Sequence, residues 1–138
     1  MITKAAGGFT VALELQAPSA QADSAVIGRR TLDKQFHGDL QAVGCGEMLS
    51  VMTAVDGSMA YVALEKVTGS LAGRRGSFVL QGAWQMVRGK PFQSTRVVPD
   101  SGTDELRGLE GEMRIDVQDG EHRYVFEYSF SGHAGIVD

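Results

Sequence analysis

Only one cysteine, Cys45, occurs in this chain, so no internal disulfide can form. The composition suits a reducing compartment, and the cytoplasm is the expected location. No stretch approaches the roughly 20 apolar residues of a membrane-spanning helix, and the N-terminal MITKAAGGFT lacks an apolar segment of signal-peptide length. A soluble protein with no membrane partner is expected. Basic clusters are equally scarce: 13 Lys and Arg against 17 Asp and Glu leave a net charge of −4, and Arg29-Arg30 and Arg74-Arg75 are the only adjacent pairs. Nucleic acid is therefore not an expected partner. His37, His122 and His133 share no short spacing and have one cysteine to join them, so no metal site is expected. The glycines of SGTDELRGLEG (101–111) lack the lysine and spacing of a phosphate loop, and no cofactor is expected. Helical periodicity of any length is missing as well.

Period-two alternation is what the chain does have. In 9–15, Phe9, Val11, Leu13 and Leu15 share one face opposite Thr10, Ala12 and Glu14. After the loop APSAQAD, further strands are predicted over 26–36, 40–53, 59–67, 77–87, 92–98, 112–117 and 122–130. Turns fall at His37-Gly38-Asp39, Asp56-Gly57, RGKP (88–91) and Asp119-Gly120. The 99–111 segment reads as a turn plus one helical turn, with Ser101 or Thr103 as cap and Leu106 and Leu109 plugging a barrel end.

A two-residue Asp119-Gly120 loop pairs Val117 with His122, Ile115 with Tyr124 and Met113 with Phe126 on one apolar face. The same register sets Asp116 across from Arg123 on the solvated face. About eight sequential strands without a covering helix leave an apolar sheet face that must close on itself or on a second sheet. Short hairpin turns favour the meander, so the predicted fold is all-β: one antiparallel meander β-barrel of about eight strands, preferred over a sandwich. One domain is expected over 1–138, with its core at about 8–131 and a tail at 132–138.

The segments FHGDL (36–40), YVALE (61–65), GRRGSFVLQ (73–81) and VPDSGTDELRGLEG (98–111), in that order, resemble a mainly bacterial family, domain of unknown function 3224. The resemblance spans residues 9–130. It implies a small barrel similar to allene oxide cyclase and dirigent proteins, whose barrels hold apolar ligands or reactive intermediates and often assemble through the barrel wall. A cavity and an oligomer are thus implied, but not those proteins' reactions. Where the family pattern is expected to run from FVLQ into a histidine and a glycine, this chain has Gly82-Ala83-Trp84.

Glu47 and Glu65 are the carboxylates placed deepest in strands, and a pair facing one cavity can do general acid and base work. With Asp56-Gly57 as a two-residue loop, Glu47 falls opposite Lys66 and Glu65 opposite Met48, on opposite sides of the sheet. A three- or five-residue loop brings both glutamates onto one face. The two-residue loop is preferred because it groups Leu49, Val51, Val62 and Leu64. That leaves a semi-polar face of Met48, Met52, Tyr61 and Glu65, and either face can be the inside. The family resemblance singles out YVALE, so Tyr61 and Glu65 are expected to look inward. The plainer role of Glu65, an anchor bonded to backbone or arginine, ranks ahead of catalysis. Gln81 and Trp84 cannot both face the cavity, and Trp84 is assigned to the core. His37 caps its turn beside Asp39 or forms a dyad with it, and His122 lies on the lining or the rim.

The leading functional expectation is a barrel that binds a small hydrophobic molecule, with Tyr61, Glu65 and Tyr124 as polar handles and His122 and Met48 in the lining. One alternative is a cyclase- or isomerase-like enzyme in which Glu65 is the catalytic candidate, and the other is a filled barrel with no ligand. Strands three to five are apolar on both faces. A homo-oligomer, most simply a dimer, is therefore expected through that wall, unless the N-terminal segment or the GHAGIV tail covers it.

Overall fold

The structure, a computed structural model, describes residues 1–17 and 27–131. Eight antiparallel strands follow one another around a closed barrel: β1 (Thr3–Gln16), β2 (Ile27–Gly38), β3 (Leu40–Met52), β4 (Met59–Leu71), β5 (Arg74–Val87), β6 (Lys90–Val97), β7 (Leu109–Gln118) and β8 (Glu121–Phe130). β1 closes the ring against β8. The expected fold class and meander are both present. Seven of the eight strands run longer than the alternation alone implied, whereas β3 ends one residue earlier than expected, at Met52.

Three tight hairpins set the registers. Ala72-Gly73, Arg88-Gly89 and Asp119-Gly120 are two-residue loops with positive φ at both positions, 49° and 87°, 47° and 90°, 53° and 80°. This is the mirror-image turn whose twist matches paired strands. The last one gives the pairs Val117–His122, Ile115–Tyr124 and Met113–Phe126, with Asp116 across from Arg123, as the alternation predicted.

The expected Asp56-Gly57 loop is corrected. Residues 53–58 all lie outside the ladder, Met52 pairs with Met59, Glu47 faces Leu64 and Glu65 faces Gly46. Thr53 closes this wider loop, with its N–H 3.2 Å and its hydroxyl 2.9 Å from the Ser58 carbonyl. Adding an even number of residues slides the register by two and leaves every side chain on its predicted face. Glu47 and Glu65 therefore do point to opposite sides.

The two halves of the interior differ. At the end that carries the β2–β3 and β4–β5 turns, Phe36, Leu40, Val67, Leu71, Phe78, Leu109, Met113 and Phe126 are buried and in one cluster. The Phe78 and Phe126 rings stack with centroids 5.9 Å apart. Burying each such side chain contributes roughly 1.5–3 kcal/mol. A 3-10 turn at Asp104–Leu106 seats Leu106, 1% exposed, over this end as the predicted plug.

The predicted cap is corrected: Thr103 makes no capping bond. Its hydroxyl instead accepts the Ser77 N–H at 3.0 Å, while Ser101 takes that of Val79 at 3.0 Å and Glu105 that of Arg75 at 2.9 Å. These three oxygens serve β5 donors lying beyond the reach of β6, which pairs only with residues 80–87 of β5. A similar substitution holds the β6–β7 seam, where Arg96–Glu112 is the one ladder pair. There the Gln93 side chain donates to the Ile115 carbonyl at 2.9 Å and accepts the Ile115 N–H at 3.1 Å.

Candidate functional site

Above the packed half lies a cavity of about 220 Å³, bounded by Phe9, Leu13, Leu32, Lys34, Met48, Tyr61, Glu65 and His122 among others. It meets solvent beside Leu13, which is 48% exposed. Strand alternation brings these residues together: Tyr61, Ala63 and Glu65 are consecutive inward positions of β4, and Leu32, Lys34 and Phe36 are consecutive inward positions of β2.

Glu65 and Lys34 meet across an intervening strand. Lys34 pairs with Gly44 of β3, and Glu65 pairs with Gly46, one inward position along. Strands two apart in a sheet are separated by about 9–10 Å, and the two side chains cover that gap by passing over Gly44. A β-carbon on Gly44 would lie 1.9 Å from Glu65 Oε2, so any other residue there displaces the carboxylate. The result is an ion pair of 3.1 Å between Lys34 Nζ and Glu65 Oε1, with side chains 13% and 5% exposed.

Burial pushes the Glu65 carboxyl above the usual carboxylate range, and the Lys34 ammonium opposes that rise. Lys34 Nζ also lies 4.9 Å from the Phe9 ring centroid and 5.7 Å from that of Phe36, within range of both ring faces. Glu65 Oε2 is buried and has no hydrogen-bond partner among the described residues. Burial, and then the negative charge of Glu65, raise the Tyr61 hydroxyl above its ordinary value.

The other sequence candidates are distributed as follows. Met48 and His122 line the cavity, His122 with its ring 5.0 Å from that of Phe9. Tyr124 lies in the packed half, 1% exposed, with its hydroxyl donating to the His37 carbonyl at 2.8 Å and accepting the Leu40 N–H at 2.9 Å. It ties β8 to the β2–β3 turn and does not border the cavity. Trp84 is half-buried and stacks on Tyr61 at 5.7 Å, while Gln81 is exposed on the outer wall. The Asp39 carboxylate accepts from the Ala6 N–H at 2.9 Å, which holds the turn that His37 was expected to cap. Glu47 lies on the outside, bonded to Arg29 at 2.7 Å. His133 and the GHAGIV tail fall outside the described residues. Among the described residues, no three His, Cys, Asp or Glu side chains are grouped as metal ligands.

Lys34 is the site residue the sequence reading passed over. Its signal was there: in LDKQF, lysine occupies the middle of three same-face positions between Leu32 and Phe36. A cation between two core residues needs a partner inside.

The family model described as "Protein of unknown function (DUF3224)" matches residues 5–128. No curated protein matches the chain. Among solved structures, a protein of unknown function from the DUF3224 family of Shewanella oneidensis MR-1 is similar, at 47% identity and a TM-score of 0.89, with 95% of this chain and 98% of that chain covered.

Lys34→Met tests the pair. Without the cation, Glu65 holds its proton to still higher pH when folded than the unfolded chain does near pH ~4.3. Its contribution is then favourable below that value and lost as pH climbs through the raised folded-state value. The variant should lose about 3–5 kcal/mol at neutral pH, and much less below pH of about 5, in urea unfolding across a pH series. A cost that does not vary with pH would contradict the pairing.

Proposed function

The chain belongs to the DUF3224 family of proteins of unknown function, and we propose that it is a binding barrel whose upper interior holds one small, mainly apolar molecule. The observation that carries this reading is the uneven filling of the barrel. An eight-stranded barrel either packs its own side chains or leaves room for one small ligand, and here aromatic rows fill one half and a cavity of about 220 Å³ remains in the other. For comparison, an apolar cavity of about 150 Å³ admits benzene. Phe9, Leu13, Leu32 and Met48 supply apolar contact, and Tyr61, Glu65, Lys34 and His122 supply polar handles. The buried ion pair also favours a ligand role over a purely structural one. Such pairs contribute little stability compared with apolar side chains of the same volume.

A second reading concerns the outer wall, where we place a dimer contact with a second copy of this chain. Leu49, Val62 and Leu64, 47%, 55% and 58% exposed, point outward from β3 and β4 and border a groove that includes Ala83 and Gln81 of β5. Leu49 pairs with Val62, and Val62 with Ala83, so the patch is continuous across three strands. Its edge carries both charge signs, in Arg29 and Glu47. A two-fold contact can therefore form without like charges meeting. The N-terminal strand pairs into the barrel between β8 and β2 and so does not itself lie over this face. The exposed thiol of Cys45 on the same wall suits a reducing compartment such as the cytoplasm.

Ala63 sits on the cavity wall between Tyr61 and Glu65, and Ala63→Phe fills the space. Native mass spectrometry of protein purified from its own source should retain a small apolar adduct that Ala63→Phe loses while staying folded. Retention of the adduct by that variant would exclude the cavity as its seat. For the wall, light scattering over a dilution series should give twice 14.8 kDa for the natural chain and 14.8 kDa for Leu64→Lys. A natural chain that remains at 14.8 kDa throughout would rule out the dimer.

A further inference from the structure

We propose that the cavity takes a monocarboxylic acid with a one-ring apolar body, seated among Phe9, Leu32, Met48 and Tyr61, whose carboxylate is held at the cavity mouth by Arg30. The inference rests on the ligand-binding reading above and names the chemistry of the occupant.

Two neighbouring arginines on β2 have different fates. Arg29 points outward and donates its Nε–H to Glu47 at 2.7 Å. Arg30 falls on the opposite face, in the inward row that continues to Leu32 and Lys34. It pairs with Leu15 of β1 and Met48 of β3, so apolar side chains flank it just above the cavity. Among the described residues Arg30 has no carboxylate partner, and its one hydrogen bond runs from Nη1 to the Ser50 hydroxyl at 3.4 Å. Glu65 Oε2 is the one unpartnered side-chain nitrogen or oxygen among those residues that is sealed from solvent. The Nε and Nη2 groups of half-buried Arg30 therefore stay open to an incoming molecule. Those two donors form one edge of the guanidinium fork, which a carboxylate meets with two parallel hydrogen bonds.

Charge then separates the candidate guests. Among the described residues, the charged side chains on inward positions of the upper half are Arg30, Lys34 and Glu65. Lys34 and Glu65 cancel one another, and Arg30 leaves a positive charge at the mouth. A monoanion balances it, whereas an ammonium guest adds to the excess and is repelled. A hydrocarbon or an alcohol fits the apolar wall but leaves the open guanidinium edge to water. Distance sets the shape. Arg30 stands one inward position above Leu32, about 7 Å along the strand, so a tether of about three carbons joins the apolar body to the carboxylate. Against about 150 Å³ for a benzene-sized cavity, 220 Å³ holds one ring and the first carbons of that tether.

Three probes of one shape decide it: 4-phenylbutanoate, 4-phenylbutanol and 4-phenylbutylamine, each titrated into the full chain by calorimetry at neutral pH. The acid should bind at least about tenfold more tightly than the alcohol, and the amine most weakly, since hydrogen bonds between charged groups are the strong ones. Equal or tighter binding of the alcohol overturns the anion assignment while the cavity reading stands. Tightest binding of the amine also overturns it. Binding of none of the three overturns both. In Arg30→Met and in Arg30→Gln, which keep much of the side chain's length without its charge, the alcohol should bind as before and the preference for the acid should fall to within about twofold. A preference that persists in either folded variant would place the carboxylate elsewhere.

Discussion

A carboxylate held 95% out of solvent in an apolar barrel needs a cation beside it, and much of the interior is arranged around that requirement. Lys34 and Glu65 stand on strands that do not touch. They meet because β3 places glycine at position 44 between them, and Glu65 leans across the bare backbone. Below the pair, Phe36, Val67 and Phe78 begin a packed core that continues to Leu106 at the closed end. Above it, inward positions carry smaller or half-buried groups such as Ala63 and Gly82, and the interior stays open. The ion pair marks the boundary between the packed half and the cavity.

Much of the architecture was legible in the sequence, and the reasons can be traced to particular elements. Asp119-Gly120 set the β7–β8 register because there the dipeptide forms the two-residue turn it favours, and that turn fixes every pair of the hairpin. The Asp56-Gly57 loop misled about register because the same dipeptide also sits comfortably inside a longer loop, here closed by Thr53. Side-chain faces survived that error, since they depend on parity and not on the exact pairing. Parity thus grouped Tyr61 with Glu65 on one face before any register was known, and the family resemblance at YVALE was what chose that face as the inside. The site was only half legible. Contacts across two strands, such as Lys34 with Glu65, depend on closure and on a glycine in between, and period-two reading of single strands does not join them. Tyr124 shows the opposite limit: its inward direction was readable, but its depth was not. The backbone groups of His37 and Leu40 engage its hydroxyl well below the cavity.

Where regular pairing stops, side chains replace it. Ser101, Thr103 and Glu105 bond the N–H groups of β5 below the end of β6, and Gln93 bonds both backbone groups of Ile115 at the β6–β7 seam. Buried or strained backbone donors are costly to leave unpaired, so these polar residues close the barrel as directly as the strands do. They also explain the 98–111 segment, whose serine, threonine and glutamate read as loop chemistry and serve as an irregular continuation of the sheet.

The central claim is that the interior is divided, packed below the ion pair and open above it. Crystals pressurised with xenon test it most directly, because xenon enters apolar cavities that are already formed. The account predicts a xenon atom among Phe9, Leu32, Met48 and Tyr61, and none among Phe78, Leu106 and Phe126. A barrel with no xenon in the upper half, or with xenon in the lower half, would contradict it.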